Sequence, residues 1–212
     1  MLEEVRLQTP RWLQWAQEIQ ALAQTGLHYC QTEYDRQRYR RLMEIAAEMA
    51  AAYGQGDCEV ALRLFLEQPG YATPKVDVRG AVIEEGRILL VQERSDERWC
   101  LPGGWADVGE TPAEMVVREV EEESGLRVRP VRLVGVYDAN RGAYPEEFFH
   151  AYKLIFLCER TGGEPRGSDE TLAAAFFSLD DLPPLSEQRT NRRHLADVFG
   201  CHRDPVRPAV FD

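Results

Sequence analysis

Residues 101–126 read LPGGWADVGETPAEMVVREVEEESGL. Thr111-Pro112-Ala113-Glu114 has the marks of a helix start: a threonine cap, proline at the first helical position and a glutamate to close a capping box. Gly125 supplies the stop. The predicted helix therefore runs from Pro112 to Ser124, behind a loop that holds Gly103, Gly104 and Gly109. At about 100° per residue, Ala113, Val116, Val117 and Val120 share one arc, the face expected to lie on a sheet. Glu119, Glu122 and Glu123 share a second arc about a third of a turn away, and Glu121 points elsewhere. Arg118 follows Glu114 by one turn, where an ion pair can form.

Three carboxylates on one helical face repel each other by about a few tenths of a kcal/mol per pair. A solvated acidic surface accommodates them, and so does a bound cation. Hard oxygen ligands without Cys or His, beside a buried edge and behind a glycine-rich loop, point to Mg²⁺ or Mn²⁺. Helix geometry by itself leaves both readings open.

Outward from this helix the pattern is strand-like. Residues 75–94, KVDVRGAVIEEGRILLVQER, predict two strands joined at Glu84-Glu85-Gly86. Further strands are expected at Arg127–Tyr137, Phe149–Cys158 and Ala173–Leu179, and a last helix near Asn191–Phe199. Strands on both sides of a single helix indicate an α/β or α+β sandwich rather than a long βαβ series.

Upstream of Gln68–Pro74 the period is helical. Trp12, Trp15, Ile19 and Leu22 suggest one apolar stripe, with a turn at Gly26. Tyr39, Leu42, Ala46, Met49 and Tyr53 suggest a second, capped by Thr32 and Asp35, and a third helix begins after Asp57. Two domains are expected: a helical extension over 1–70 and a main domain over 71–212. Three short helices make a thin core, so their aromatic stripes are expected to pack on the main domain or on a second copy of the chain. Arg36, Arg38, Arg40 and Arg41 form a basic cluster that reads first as a solvated face or a set of salt bridges.

Composition sets the outer limits. The chain has 212 residues, 44% hydrophobic, enough for a real core and inconsistent with wholesale disorder. Its 25 basic against 36 acidic residues give a net charge of −11, which argues against non-specific binding to nucleic acid. No apolar run approaches the ~20 residues of a membrane span. The N-terminus, MLEEVRLQTPRWLQW, lacks the apolar core of a secretory signal. Cys30, Cys58, Cys100, Cys158 and Cys201 are scattered and odd in number, which argues against a disulfide framework or zinc site and for the cytoplasm.

The fixed positions of residues 104–126 add a family to this reading. Gly104, five residues, Glu110, seven residues, then Arg118-Glu119-Val120-Glu121-Glu122-Glu123-Ser124-Gly125-Leu126 resembles the Nudix box, GX5EX7REUXEEXGU with U aliphatic, at every specified place. The resemblance extends to Leu101-Pro102-Gly103-Gly104 before the box and to Phe176-Phe177-Ser178-Leu179-Asp180-Asp181-Leu182-Pro183 after it. It implies an α/β/α sandwich with a mixed sheet, and Mg²⁺- or Mn²⁺-dependent cleavage of the pyrophosphate bond in a nucleoside diphosphate linked to a group X. It makes Glu119, Glu122 and Glu123 metal ligands, with Glu110 near them or paired with Arg118. Arg118 becomes structural. Gly104 is suited to lend a carbonyl to the metal, because it lacks a Cβ. Hydrolysis also needs a carboxylate to accept a proton from the attacking water. The candidates are the box acids and, in the later Ser168-Asp169-Glu170-Thr171 stretch, Glu170.

The helical extension, with TPKVDVRGAVI and FFSLDDLPPLS, is similar to bacterial CDP-choline pyrophosphatase-like Nudix proteins that carry such an extension. That implies a substrate such as CDP-choline or ADP-ribose, release of a nucleoside monophosphate and phospho-X, and a homodimer. Arg79 and Trp105 are the leading candidates for base or sugar contact, ahead of Tyr137-Asp138 and Phe149-His150. A lone histidine such as His150 in an apolar strand reads first as a core residue. No clear selectivity marker follows the box: Gly142 and Tyr144-Pro145 lie near, not at, the places where ADP-ribose and dinucleoside-polyphosphate enzymes of the family keep theirs. Two other classes compete: an RNA 5′-end pyrophosphohydrolase or nuclease guided by the arginine cluster, and a nucleotide sensor without catalysis. The charge opposes the first, and the intact box opposes the second.

Overall fold

The structure is a computed structural model that describes residues 10–54, 57–140 and 148–212. Three helices come first: α1 (Arg11–Tyr29), α2 (Glu33–Gly54) and α3 (Cys58–Leu66). Then follow β1 (Lys75–Glu84), β2 (Arg87–Glu93), β3 (Trp99–Cys100), β4 (Gly103–Trp105), α4 (Pro112–Ser124) and β5 (Leu126–Asp138). β6 (Ala151–Gly163), β7 (Thr171–Ser178), α5 (Arg192–Arg203) and β8 (Val210–Phe211) complete the chain. It divides into two units: α1–α3 with part of the β5–β6 connection, and Lys75–Ala139 with Ala151–Asp212. Among the described residues no helix is long and apolar enough to cross a membrane.

The larger unit is the expected mixed sheet between helices. β1 runs parallel to β6 from Lys75 opposite Ala151 to Val82 opposite Cys158, and antiparallel to β2 and β4. β5 continues the sheet antiparallel to β6, and β7 pairs antiparallel with β2. The β1–β2 hairpin closes through Glu85 and Gly86, both at positive φ, the backbone of a tight turn matched to strand twist. Side-chain alternation then sorts the faces. Val78 and Val82 pack with Met115, Val116 and Val120 of α4, while Ala81 packs with Leu195, Val198 and Phe199 of α5. Gly80 lets α4 approach: a Cβ there would stand 2.4 Å from Val120 and 3.0 Å from Val116.

That close approach sets the rotation of α4 about its axis. Its buried residues are Met115, Val116, Val120, Glu123 and Ser124, whereas Ala113 is exposed and Val117 half-buried. The arc predicted from valine spacing is thus turned toward the side that carries Glu119 and Glu123. The helix ends are as expected, with a Thr111–Glu114 capping box and Gly125 left-handed at the stop.

In the helical unit the buried stripe differs from the predicted one. α1 buries Leu13, Ala16, Gln20, Ala23 and Gln24, while Trp15 and Leu22 stay 49% and 61% exposed. α2 contributes Met43, Ala46 and Ala47 to this core, and Tyr53 is exposed. Small residues let the two helices pack closely, so the alanines, not the aromatics, form the seam. Gly26 is no turn: it lies inside α1, where a Cβ would meet the Tyr39 ring at 2.3 Å. Thr32 and Asp35 do cap α2, through Asp35 N–H to Thr32 Oγ1 at 3.1 Å. Phe149, expected to open a strand, instead packs with Phe148 around Phe65, their ring centroids 6.0 and 4.6 Å away. β6 consequently begins at Ala151, and His150 is exposed ahead of it rather than a core residue. Gly142, Tyr144 and Pro145 lie outside the described residues.

Candidate active site

β4 and α4 bring the glycine loop and the acidic helix face together. Gly103 sits at φ 138°, and a Cβ there would stand 2.0 Å from the Val78 carbonyl, so the tight pairing of β4 with β1 requires glycine. The Gly103 N–H donates to Glu123 Oε2 at 2.8 Å. One residue on, a Cβ at Gly104 would lie 3.3 Å from Glu119 Oε2. Two carboxylates, four residues apart on α4, therefore flank the Gly103–Gly104 backbone.

Their charge is costly in this setting. Glu123 is 6% exposed, and its pKa is pushed up to about 8, first by burial and then by the neighbouring Glu93 and Glu119, against the pull of Arg79 and the Gly103 N–H. Glu119 is also raised, chiefly by burial, although Arg118 opposes the shift. Arg118 is the hub of the remaining acids. It pairs with Glu119 and Glu122 at 2.9 Å each, with Glu110 at 2.8 Å and with Asp107 at 3.2 Å. Its hydrogen bond holds Glu110 below the usual carboxylate range. An open groove of about 670 Å³ beside α4 is lined by Arg118 and Glu122 but not by Glu119, Glu123, Gly104 or Trp105. It borders the acidic face without being the site.

The donor set suits a hard divalent cation. Glu123 is buried and Glu119 half-buried, both offer hard carboxylate oxygens of raised pKa, and the Gly103–Gly104 backbone lies beside them. Among the described residues no three acidic, histidine or cysteine side chains already converge on one point. Arg118 holds Glu119 and Glu122 on its guanidinium.

Trp105 and Arg79 fall into different settings. Trp105 is 42% exposed at the end of β4, next to Gly104. Arg79 is 6% exposed and already engaged: Nε donates to Asp77 at 2.9 Å and Nη1 to the Leu101 carbonyl at 3.2 Å. Its place is the buried wall behind the site, not an open surface. Glu170 is exposed, but its backbone is anchored near α4. The Glu170 N–H donates to Ser168 Oγ, the Thr171 hydroxyl donates to the Glu123 carbonyl at 2.6 Å, and Arg94 grips the carbonyls of Ser168 and Asp169.

Sequence reasoning passed over the charged wall itself. Lys153 is buried against the carbonyls of Gln188 and Arg189 and lies 3.5 Å from Asp77; burial, first of all, lowers its pKa to about 8. Cys100 Sγ–H donates to Glu93 Oε1 at 3.1 Å, and burial keeps the thiol protonated. The Asp77–Arg79 pair was open to reading from its i,i+2 spacing on one strand face. Lys153 opposite Asp77 needed the β1–β6 pairing. Arg36, Arg38 and Arg41 pair with Glu33, Asp35, Glu44 and Glu48 along α2, so they satisfy acids of their own helix.

Comparison with known proteins fixes the family. Residues 73–198 match the NUDIX domain profile. The chain belongs to the Nudix family. It is a Nudix hydrolase, and residues 10–65 match a profile described as a UDP-X-like, N-terminal oligomerisation domain. Over 208 residues, 98% of this chain and 100% of the relative, it is 45% identical to YjhB of Bacillus subtilis (strain 168), a protein whose name reads "Putative ADP-ribose pyrophosphatase YjhB". It is 36% identical to the ADP-ribose pyrophosphatase of Methanocaldococcus jannaschii over 55% of this chain and 69% of that one. Among solved structures, a UDP-X diphosphatase covers 97% of this chain and 100% of its own at 30% identity and TM-score 0.62. An ADP-ribose pyrophosphatase from Streptococcus suis 89-1591 covers 66% of this chain and 100% of its own at 42% identity and TM-score 0.61.

Proposed function

We propose that this Nudix hydrolase cleaves the pyrophosphate bond of a nucleoside diphosphate linked to a sugar or similar group, with ADP-ribose the leading substrate. The products are a nucleoside monophosphate and phospho-X. The observation that carries the reading is the pair of carboxylates of raised pKa, Glu123 buried and Glu119 half-buried, against the Gly103–Gly104 backbone. The substrate class is supported by the full-length likeness to a protein named "Putative ADP-ribose pyrophosphatase YjhB" and to a UDP-X diphosphatase. CDP-choline, the other substrate class suggested by the sequence, has no comparable support.

When bound, Mg²⁺ or Mn²⁺ supplies charge neutralisation of the diphosphate and activation of the attacking water. Glu119 and Glu123 would hold the ion, with Glu122 at the exposed edge and the Gly104 carbonyl as further oxygen donors. Trp105 offers its exposed ring to the base or ribose by stacking. Glu170 accepts the proton from water, on a turn held to α4 through Thr171. Arg79 shapes the wall rather than touching substrate. The helical extension joins two copies into a homodimer, in keeping with its match to an oligomerisation domain. Five free thiols fit a reducing cytoplasm.

A Mg²⁺-dependent product screen against ADP-ribose, UDP-glucose, CDP-choline, nucleoside triphosphates and 5′-triphosphorylated RNA tests the substrate class. Preferred release of AMP and ribose 5-phosphate from ADP-ribose supports it. Preferred cleavage of the RNA end overturns it.

A further inference from the structure

Arg118 divides one guanidinium between two groups of acids. Its Nη1 donates to Glu119 Oε1 and to Glu122 Oε2, both at 2.9 Å. Its other edge faces the loop before α4: Nε reaches Glu110 at 3.0 and 3.2 Å, and Nη2 reaches Glu110 at 2.8 Å and Asp107 at 3.2 Å. The Nη1 partners are the acids assigned above to the metal, and the Nε/Nη2 partners are not the same pair. A planar guanidinium with a fixed fork can give up Nη1 contacts while its Nε/Nη2 edge stays bidentate on one carboxylate.

We propose that Arg118 is an intramolecular stand-in for the metal. In the metal-free protein Nη1 compensates Glu119 and Glu122; a divalent cation takes those carboxylates, while Nε and Nη2 keep Glu110 and the loop that leads from Trp105 into α4. Arg118 is thus a positioning residue for the loop and a competitor of the cation at one and the same time. The inference rests on the metal-binding reading of Glu119 and its neighbours. It explains why no three ligands converge among the described residues: the guanidinium already occupies two of them.

The direction of the effect separates competition from mere support. If Arg118 only oriented the ligands, its removal would weaken metal binding. Competition predicts the reverse, because two charge-assisted hydrogen bonds no longer have to be exchanged. Mn²⁺ binding to the metal-free, full-length protein, followed by calorimetry, should be tighter in Arg118→Gln by about 3- to 10-fold, each of the two partly exposed ion pairs being a modest contribution. Weaker binding in that variant overturns the proposal while leaving the metal site standing. No Mn²⁺ binding by the wild-type protein overturns the metal reading and the proposal together. Nitrogen-15 NMR of the wild-type arginine side chains tests the exchange without a variant. On Mg²⁺ addition, rotation about the Arg118 Cζ–Nη1 bond should speed up while its Nε–H stays protected; unchanged slow rotation at metal saturation contradicts the exchange.

Discussion

Glu123 is at once the most buried acid of the helix face and the one fixed directly to the glycine loop. Replacement by glutamine keeps its shape and loses its charge, so Glu123→Gln is expected to lower kcat at least about 100-fold with an unchanged circular dichroism spectrum. Steady-state kinetics with ADP-ribose checks this. His194 shows another cost of burial. Its Nδ1 accepts the Asn191 N–H at 3.3 Å, its ring lies edge-on to Tyr137, and burial first, then Lys153, Arg193 and Arg79, hold its pKa well below the imidazole value. The unfolded chain takes up that proton near pH 6.5 and the folded chain does not. Stability is therefore lost as pH falls below about 6.5, by up to about 1.4 kcal/mol per pH unit. Glu123, raised to about 8, works in the opposite sense in the metal-free protein: its contribution is lost as pH rises from about 4.5 through 8. The difference between wild type and His194→Gln isolates the histidine, and urea titrations at pH 5 and 7 should show a smaller acid-side loss in the variant. The spacing of residues 104–126 made the acids legible. Which of them are buried was not, because that depends on how far α4 sinks toward β1.

Among the elements, Gly80 governs that depth. Gly80→Ala forces a Cβ against Val120 and Val116, and about 1–3 kcal/mol of destabilisation is expected for such overpacking. A thermal unfolding midpoint unchanged from wild type would contradict this role. The start and stop of α4 and the β1–β2 hairpin were readable because cap and turn chemistry are local. The buried face of α1 was misread for the converse reason. Large aromatic residues at helical spacing look like a seam, yet two helices come together over alanines, and the Trp15 ring is left outward. Gly26 signalled a turn by residue type, whereas its use is space for the Tyr39 ring inside a continuous helix.

Across the whole chain, the helical unit is not made of N-terminal sequence alone. Phe148 and Phe149 come from between β5 and β6 and close on Phe65, which is 2% exposed. No local pattern could assign them to a helical core so far away in sequence. Phe65→Ala is expected to cost about 3–5 kcal/mol in that unit. Hydrogen exchange should show α1–α3 losing protection in the variant, and unaltered protection there would contradict the shared core. Light scattering should give twice the 24.2 kDa chain mass for the proposed homodimer; a mass of one chain at working concentrations contradicts it. Metal-dependent hydrolysis at the Glu119–Glu123 face is tested most directly by the release of AMP from ADP-ribose. The full-length protein is compared with Mg²⁺, with EDTA, and as Glu123→Gln with Mg²⁺. Turnover is expected in the first case only. Equal turnover in EDTA, or by the glutamine variant, contradicts a metal-bearing, catalytic role for that face.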